Sequence, residues 1–287
     1  MIYQSADEWL NAPKKRVLLF GMSGLGKTHV SNILRDHGDW FHYSVDYRIG
    51  TRYMGEHIAD NFKREAMKVP LLRELLMQDA VHITSNITFN NLSPLSTYLG
   101  KPGNPAKGGL AFSEYLRRQD QHREAEVASL LDTPRFAERA EELYGYPHFV
   151  CDSGGSICEV VDPLNPSDPI MSTLASSVLM VWIRGSEAHT AELIRRFDRA
   201  PKPMYYQPSF LHAAWEQYLR QEGLTEDRVD PDAFVRWTYA RALAHRQPRY
   251  HQMAEKWGLS VTAEDIAQVR STADFEALIA RALAART

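Results

Sequence analysis

The amino-acid sequence predicts an α/β protein. We expect a three-layer sandwich in which a central, parallel, five-stranded sheet carries helices on both faces. Two observations predict this class: short apolar runs alternate with stretches of helical apolar spacing, and the first run ends in a glycine-rich loop that opens a helix. Continuous apolar runs are typical of strands buried on both faces. The runs predicted as strands are residues 17–20, 40–45, 149–151, 178–183 and 259–261.

Helical periodicity fills most of the segments between these runs. Glycine, proline and asparagine mark the interruptions. The predicted helices are residues 29–36, ended by His37 and Gly38, then 55–76 with a break at Pro70, 111–131, 134–144, 186–197, 211–220, 232–245 and 274–285. Residues 84–109 are predicted to form a long loop or mobile excursion, because they are rich in asparagine, proline, serine and glycine. Residues 162–169 are predicted as a second loop, and 199–208 as the start of a flexible segment.

Composition excludes several classes of protein. The chain has 287 residues, of which 44% are apolar and 24% charged, and a net charge of −3. This mix excludes a disordered chain, and the absence of basic excess argues against nucleic acid or an anionic membrane as partner. The longest apolar run, residues 178–183, is too short to span a bilayer. Two cysteines and no signal-like start predict a reduced, cytoplasmic location.

The strongest motif is Gly21-Met-Ser-Gly-Leu-Gly-Lys-Thr28, which matches G-x-x-x-x-G-K-[ST]. It follows a predicted strand and opens a helix, as a phosphate-binding loop must. Glycines let backbone N–H groups turn around phosphate oxygens, the lysine reaches the β- and γ-phosphates, and the hydroxyl ligates Mg²⁺. The motif therefore predicts ATP with Mg²⁺ as cofactors. The predicted nucleotide contacts are Gly21, Ser23, Gly24, Leu25, Gly26, Lys27, Thr28 and His29.

Two aspartates follow other predicted strands, where ligands of such sheets collect. Asp46 follows the second strand and can accept a proton from a substrate hydroxyl, or it can cap a helix. Asp152 ends the third strand and is predicted to orient Mg²⁺ together with Thr28, although aspartate is also a common turn residue. A basic cluster after the fourth strand, which includes Arg195 and Lys202, can close over phosphates or remain a solvated charge run.

Taken together in chain order, several windows resemble shikimate kinase. The family patterns are D-x-D-x-x-I, G-x-x-I-x-x-x-F, F-R-x-x-E-x-x-x-L, T-G-G-G-S-V, L-x-R followed by R-P-L-L, and R-x-P-x-Y-x-x-x-A. The windows that match them are residues 44–49, 55–62, 122–130, 152–157, 193–205 and 246–254. The resemblance covers about residues 17–62, 122–157, 178–205 and 243–285.

The resemblance implies a P-loop kinase-type fold and a role for each matched residue. Asp46 would bind and activate the acceptor hydroxyl, Arg195 would pack against adenine, and Lys202 would be the lid cation that faces the phosphates. The residues implied to line the acceptor pocket are Arg123, Gly154, Gly155 and Arg246. Two arginines beside a carboxylate favour an acceptor with an anionic group and a hydroxyl. The same arginines could instead form surface pairs with Glu126 and Glu255.

The sequence departs from the family in ways that bear on the substrate. The family's first aspartate is Ser44 here, its first glycine of the triplet is Ser153, and its lid arginine is Lys202. Residues of about 63–121 and 206–242 have no counterpart in that family. We therefore predict one domain, residues 1–287, with helical insertions at these two segments on the lid and acceptor side. Its acceptor is expected to be other than shikimate.

Three functions remain open from the sequence. The first is a kinase that transfers phosphate from ATP to a hydroxyl of a small, anionic metabolite. The second is a regulatory ATPase or nucleotide-dependent binding module whose insertions engage a protein partner. The third is a nucleoside or nucleotide kinase, in which aromatic residues of segment 205–240 stack a base, although such aromatics are more often core.

Overall fold

The computed structural model describes residues 1–37 and 39–286, and it divides them into two compact units. Unit 1 comprises Met1–Val45, Val127–Pro201 and Arg236–Thr287, and unit 2 comprises Asp46–Glu126 and Lys202–Val235. The segments predicted as insertions fall largely in unit 2. The single-domain organisation stays a prediction.

Unit 1 contains a five-stranded sheet in which every neighbouring pair is parallel. The spatial order is β2-β3-β1-β4-β5. The strands are β1 (Arg16–Phe20), β2 (Trp40–Ser44), β3 (His148–Asp152), β4 (Leu179–Arg184) and β5 (Gly258–Thr262). This sheet, with helices on both faces, confirms the predicted α/β sandwich with a parallel five-stranded sheet.

Helices cover both faces of the sheet in unit 1. The helices of this unit are α1 (Ala6–Asn11), α2 (Lys27–Asp36), α8 (Thr133–Tyr144), α9 (Ile157–Val160), α10 (Pro169–Ser177), α11 (Glu187–Arg199), α14 (Ala263–Ile266) and α15 (Thr272–Ala284). The first face is covered by α2 and α15, which contact each other, and the second by α8 and α10. Crossover helices on both faces are what a parallel sheet requires, since each connection must return to the same edge.

Local sequence explains why these elements form and how they end. The strand β1 is Arg-Val-Leu-Leu-Phe, and all but its arginine are fully buried. The side chain of Asp168 accepts hydrogen bonds from two backbone N–H groups and thereby starts α10, directly before Pro169. Gly258 lets β5 approach β4, because a Cβ there would lie 2.1 Å from the carbonyl oxygen of Met180. The helix α2 ends at Asp36; the predicted stop at Gly38 lies outside the described residues.

Unit 2 is built from helices and the loops that join them. Its elements are α3 (Val45–Arg48), a π-helical turn (Ile49–Tyr53), α4 (Gly55–Ala66), α5 (Pro70–Met77), α6 (Ser93–Leu99), α12 (Pro208–Glu222) and two 3₁₀ turns (Pro105–Lys107 and Glu226–Arg228). The first residue of α3, Val45, belongs to unit 1. The unit boundary falls within α7 (Phe112–Leu131) and within α13 (Pro231–Trp257). The predicted helix at 55–76 is two helices, separated at Pro70 as expected.

Two predictions about local structure were wrong. The expected loop at 84–109 contains α6 and a 3₁₀ turn, because tertiary packing orders a segment whose composition indicates a loop. The helix predicted to end at residue 245 continues to Trp257 and passes through Pro248. Packing of the residues on either side of this proline stabilises the longer helix despite the missing N–H group. Helices α1 and α10 had no periodic signal strong enough to predict them.

No helix among residues 1–37 and 39–286 combines the length and the apolar character that crossing a bilayer requires.

Candidate active site

The loop after β1 has the backbone that its glycines predict. Gly21, Gly24 and Gly26 all have positive φ, at 133°, 86° and 98°, which side-chain-bearing residues rarely adopt. Space is limited as well, because a Cβ on Gly21 would lie 2.6 Å from the carbonyl oxygen of Ile183 at the end of β4. The loop is therefore held at the carboxyl end of the sheet by conformation and by packing, and it leads directly into α2.

Lys27 is folded back onto this loop. It is only 6% exposed, and its ammonium group donates hydrogen bonds to the carbonyl oxygens of Gly21 and Met22, both at 3.0 Å. The positive charge is thus placed inside the loop at the N-terminus of α2, where a helix favours anions. This arrangement suits a polyphosphate.

Thr28 and Asp152 are brought together by the parallel register. Asp152 ends β3 and pairs in register with Leu19 of β1 and Ser44 of β2. The hydroxyl of Thr28 donates a hydrogen bond of 2.6 Å to the Asp152 carboxylate. Burial raises the pKa of Asp152, while the nearby Lys27 and the hydrogen bond from Thr28 act in the opposite direction. A hydroxyl beside a carboxylate is an oxygen donor set of the kind that Mg²⁺ prefers, so these residues fit the predicted metal.

Residues 153–155, directly after Asp152, pack against the phosphate loop (residues 21–28) and form a wall beside it. Both the backbone N–H and the hydroxyl of Ser153 donate to the carbonyl oxygen of Leu19, at 3.1 and 2.9 Å. A Cβ on Gly155 would lie 3.0 Å from the Ser23 hydroxyl oxygen. The chain at Gly155 therefore packs closely on the phosphate loop, and a glycine at this position allows that approach.

Helix α13 holds this wall in place through a buried hydrogen-bond network that was not predicted from the sequence. The Tyr250 hydroxyl donates to the carbonyl oxygen of Gly155. Arg246 Nε donates to Glu159 Oε1 at 2.6 Å, and both side chains are almost completely buried. Arg249 donates to the carbonyl oxygens of Cys158 and Val161 at 2.6 and 2.7 Å. The network ties α13 to the segment that touches the phosphate loop.

Burial and charge act on this network in opposite directions. Burial lowers the pKa of Arg246, but the interactions of Arg246 with Glu159, Tyr250 and Cys158 together outweigh this effect, and the pKa is raised overall. Burial raises the pKa of Tyr250 far above its ordinary value, so its hydroxyl keeps the proton that it donates to Gly155.

The expectation that Arg246 pairs with Glu255 on the surface is wrong, because its partner is the buried Glu159. The motif around Tyr250 was available as a signal, but Glu159 belongs to no pattern.

Arg195, which was predicted to contact adenine, lies on the exposed side of α11. Its guanidinium pairs with Glu192 on the same helix at 2.6 Å, and its side chain is 70% exposed. The same helix reaches the phosphate loop through Leu193, which lies 3.1 Å from the position of a Cβ on Gly24. His29 is exposed on α2. The proposed adenine contact of Arg195 stays a prediction.

The remaining predicted residues belong to unit 2. Asp46 lies in α3, two residues after the end of β2, and is partly buried. Arg123 is exposed on α7, whereas His122 and Glu126 on the same helix are buried. The distance from His122 Nδ1 to Glu126 Oε2 is 3.7 Å. The expected surface pair of Arg123 with Glu126 is therefore wrong, since Glu126 faces inward. Lys202 opens the second segment of the unit and is exposed. The acceptor-binding roles of Arg123 and Arg246 stay predictions.

Comparison with known proteins gave limited results. No protein-family model matches the chain. No curated protein matches it either. Among solved structures, the chain is similar to shikimate kinase from Bacteroides thetaiotaomicron, with a TM-score of 0.37 and 16% sequence identity over 93% of this chain and 95% of that chain.

Proposed function

We propose that this chain is an ATP- and Mg²⁺-dependent kinase that phosphorylates a hydroxyl of a small, anionic metabolite. The observation that carries the proposal is the arrangement at the carboxyl end of β1 and β3. There the Lys27 ammonium lies 3.0 Å from two loop carbonyls, and the Thr28 hydroxyl lies 2.6 Å from the Asp152 carboxylate. A glycine loop, a buried lysine and a hydroxyl–carboxylate pair are the groups that a nucleoside triphosphate with its metal requires.

On the phosphate side, this chain contributes positioning and charge. The backbone N–H groups of the loop and the N-terminus of α2 bind phosphate oxygens, and Lys27 neutralises charge at the β- and γ-phosphates. Thr28 would hold Mg²⁺ directly, and Asp152 would hold it through bound water. When bound, the metal neutralises charge on the transferring phosphoryl group.

On the acceptor side, the proposed groups are in unit 2. Asp46 orients the acceptor hydroxyl and accepts its proton as the new oxygen–phosphorus bond forms and the bond between the γ-phosphorus and the oxygen of the leaving ADP breaks. Lys202 neutralises negative charge that the transfer generates. Such a reaction depends mainly on alignment and exclusion of water, since the protein need form no covalent bond.

Release of ADP in the presence of pooled polar metabolites tests this proposal. We expect one hydroxyl-bearing anion to stimulate turnover and to be recovered with one added phosphate. Replacement Asp46→Asn should lower stimulated turnover by about 10²–10⁴-fold, the usual contribution of a general base.

The matched control for this experiment is Asp60→Asn, which changes an exposed aspartate of unit 2 that pairs with Lys63. It should behave like the parent protein. Slow turnover that no metabolite or nucleoside stimulates would contradict the kinase and favour a regulatory ATPase. Stimulation by nucleosides alone would favour a nucleoside kinase.

A further inference from the structure

A polar cleft of about 600 Å³ lies entirely within unit 2. This volume is in the usual range for a small-molecule site. Hydroxyl groups and ammonium groups line much of it: Ser93, Ser96, Thr97, Lys101, Lys107 and Lys202. Most of the cleft is built from segment 63–121, which has no counterpart in the family that the sequence resembles.

Three lysines reach this cleft from two segments of the chain, Lys101 and Lys107 from one loop and Lys202 from the other segment of unit 2. Lys101 binds Asp232 at 2.6 Å, and Lys107 binds Asp230 at 2.8 Å. Lys202 forms no ion pair with any residue that the structure describes. Because three ammonium groups face two carboxylates, the cleft keeps an excess of positive charge. An anionic ligand would therefore be favoured there.

The wall that carries Lys101 and Lys107 is held rigidly by backbone hydrogen bonds. Gly103 N donates to Leu110 O, Leu110 N donates to Lys101 O, and Asn104 N donates to Val229 O, each at 2.8 Å. Gly103 has a φ of 137°, and a Cβ there would lie 2.6 Å from the carbonyl oxygen of Val229. These contacts hold the loop against the segment that precedes α13. Binding of a ligand therefore loses little conformational entropy in this loop.

The carboxylates that orient the two lysines are fixed as well. Asp230 accepts hydrogen bonds from the backbone N–H groups of Asp232 and Ala233, at 3.0 and 3.1 Å, at the start of α13. The bond to Lys107 and these backbone bonds lower the pKa of Asp230. Asp230 therefore stays ionised at neutral pH and holds the Lys107 side chain in place.

The opposite wall offers hydroxyl groups and an aromatic ring. Ser93, Ser96 and Thr97 lie three and four residues apart on α6, so they share one face of that helix. The other face is buried through Leu95, Tyr98 and Leu99. Phe89 stacks on Tyr47 with ring centres 4.7 Å apart, and it lines the cleft beside α6. Hydroxyl groups beside an aromatic face are suited to a polyhydroxylated carbon skeleton.

We propose that this cleft binds a small polyhydroxylated anion, a sugar phosphate or a sugar acid, with Lys202 as the main contact of the anionic group. Lys101 and Lys107 add charge from the rigid wall, and the hydroxyl groups of α6 bind ligand hydroxyls. The identification of this ligand as the phosphoryl acceptor rests on the proposed function. Binding of the anion to this cleft does not depend on the proposed function.

Calorimetric titration of the full chain tests this inference. The probes are glucose 6-phosphate, glycerol 3-phosphate and gluconate, with uncharged glucose for comparison. Excess Mg²⁺ and ADP are added so that the phosphate loop does not compete for the anions. We expect at least one charged probe to bind, and to bind more tightly than glucose. The phosphate and carboxylate probes distinguish the two sources of anionic charge. Failure of all charged probes, or equal binding of glucose, would overturn the inference.

Variants identify the residues that bind the probe. Lys202→Ala should weaken binding roughly tenfold or more, as expected for loss of a charge-assisted contact, and Lys202→Arg should retain most of it. The control is Lys68→Ala, which removes another exposed lysine of unit 2, one that pairs with Glu65 at 2.7 Å. Equal affinities of Lys202→Ala and Lys68→Ala would overturn the inference.

The result is separable from the proposed function. Binding of an anion to the cleft without any ATP-dependent phosphorylation would contradict the kinase and leave the cleft site standing. Phosphorylation of an acceptor whose binding is insensitive to Lys202→Ala would support the kinase and overturn the cleft as its acceptor site.

Discussion

At the scale of single residues, Asp152 combines a functional position with a cost to stability. It is buried beside Lys27 and accepts the Thr28 hydroxyl, and burial raises its pKa. A carboxyl whose pKa is higher in the folded than in the unfolded protein binds more protons when folded. The free energy of unfolding therefore falls as pH rises through the interval between the two pKa values. The proposed Mg²⁺ would offset this cost when it is bound near Asp152.

Replacement Asp152→Asn tests this balance. The variant keeps an oxygen acceptor for Thr28 but removes the buried charge, so we expect a higher melting temperature than that of the parent at pH 7 without ligands. The difference should shrink as pH falls toward the ordinary carboxyl range. Titration of Mg²⁺ in the presence of ATP should show a higher metal requirement in the variant. A metal titration identical to that of the parent would count against the metal role.

At the scale of elements, α13 stabilises the wall beside the phosphate loop through one buried ion pair. Arg246 and Glu159 lie 2.6 Å apart with 6% and 0% of their side chains exposed. Arg195 and Glu192 on α11 lie at the same distance, but the arginine side chain is 70% exposed. The two pairs differ in burial, and Glu192 also pairs with Arg196 at 2.8 Å. Both differences reduce the free energy that is lost when Arg195 is removed.

Replacement of each arginine by methionine separates these effects. Arg246→Met removes the guanidinium that lies 2.6 Å from the buried Glu159 carboxylate and leaves His245, at 3.6 Å, as a weaker partner, and we expect it to lower the free energy of unfolding by about 3–5 kcal/mol. Arg195→Met should have a much smaller effect, since solvent screens the exposed pair. Urea denaturation measures both. Equal effects of the two replacements would contradict the burial argument, and the double variant Arg246→Met with Glu159→Gln should recover part of the loss.

At the scale of the whole molecule, the sequence predicted features whose cause is local or follows from parallel strands. The glycine loop was predictable because Gly21, Gly24 and Gly26 are needed by one short turn. The meeting of Thr28 with Asp152 was predictable in kind, because both follow strands of one parallel sheet.

Features that arise from distant packing could not be predicted from the sequence. Glu159 lies in a four-residue helix, and its partner Arg246 is far away in the chain. The order of the loop around Gly103 comes from its bond partner at Val229, so a composition typical of a mobile loop was misleading. Arg123 was chosen by a motif match, although helical spacing places His122 and Glu126 on the buried face.

The measurement that tests the central claim most directly is ATP turnover by Lys27→Ala, with Lys14→Ala as control. Lys27 donates to two loop carbonyls, whereas Lys14 is an exposed lysine of unit 1 that pairs with Glu141. We expect Lys27→Ala to lower turnover by about 10²-fold or more, the scale of a lost electrostatic contact in a transition state, while circular dichroism shows an unchanged fold. Lys14→Ala should match the parent. Turnover by Lys27→Ala equal to that of the parent would contradict the account.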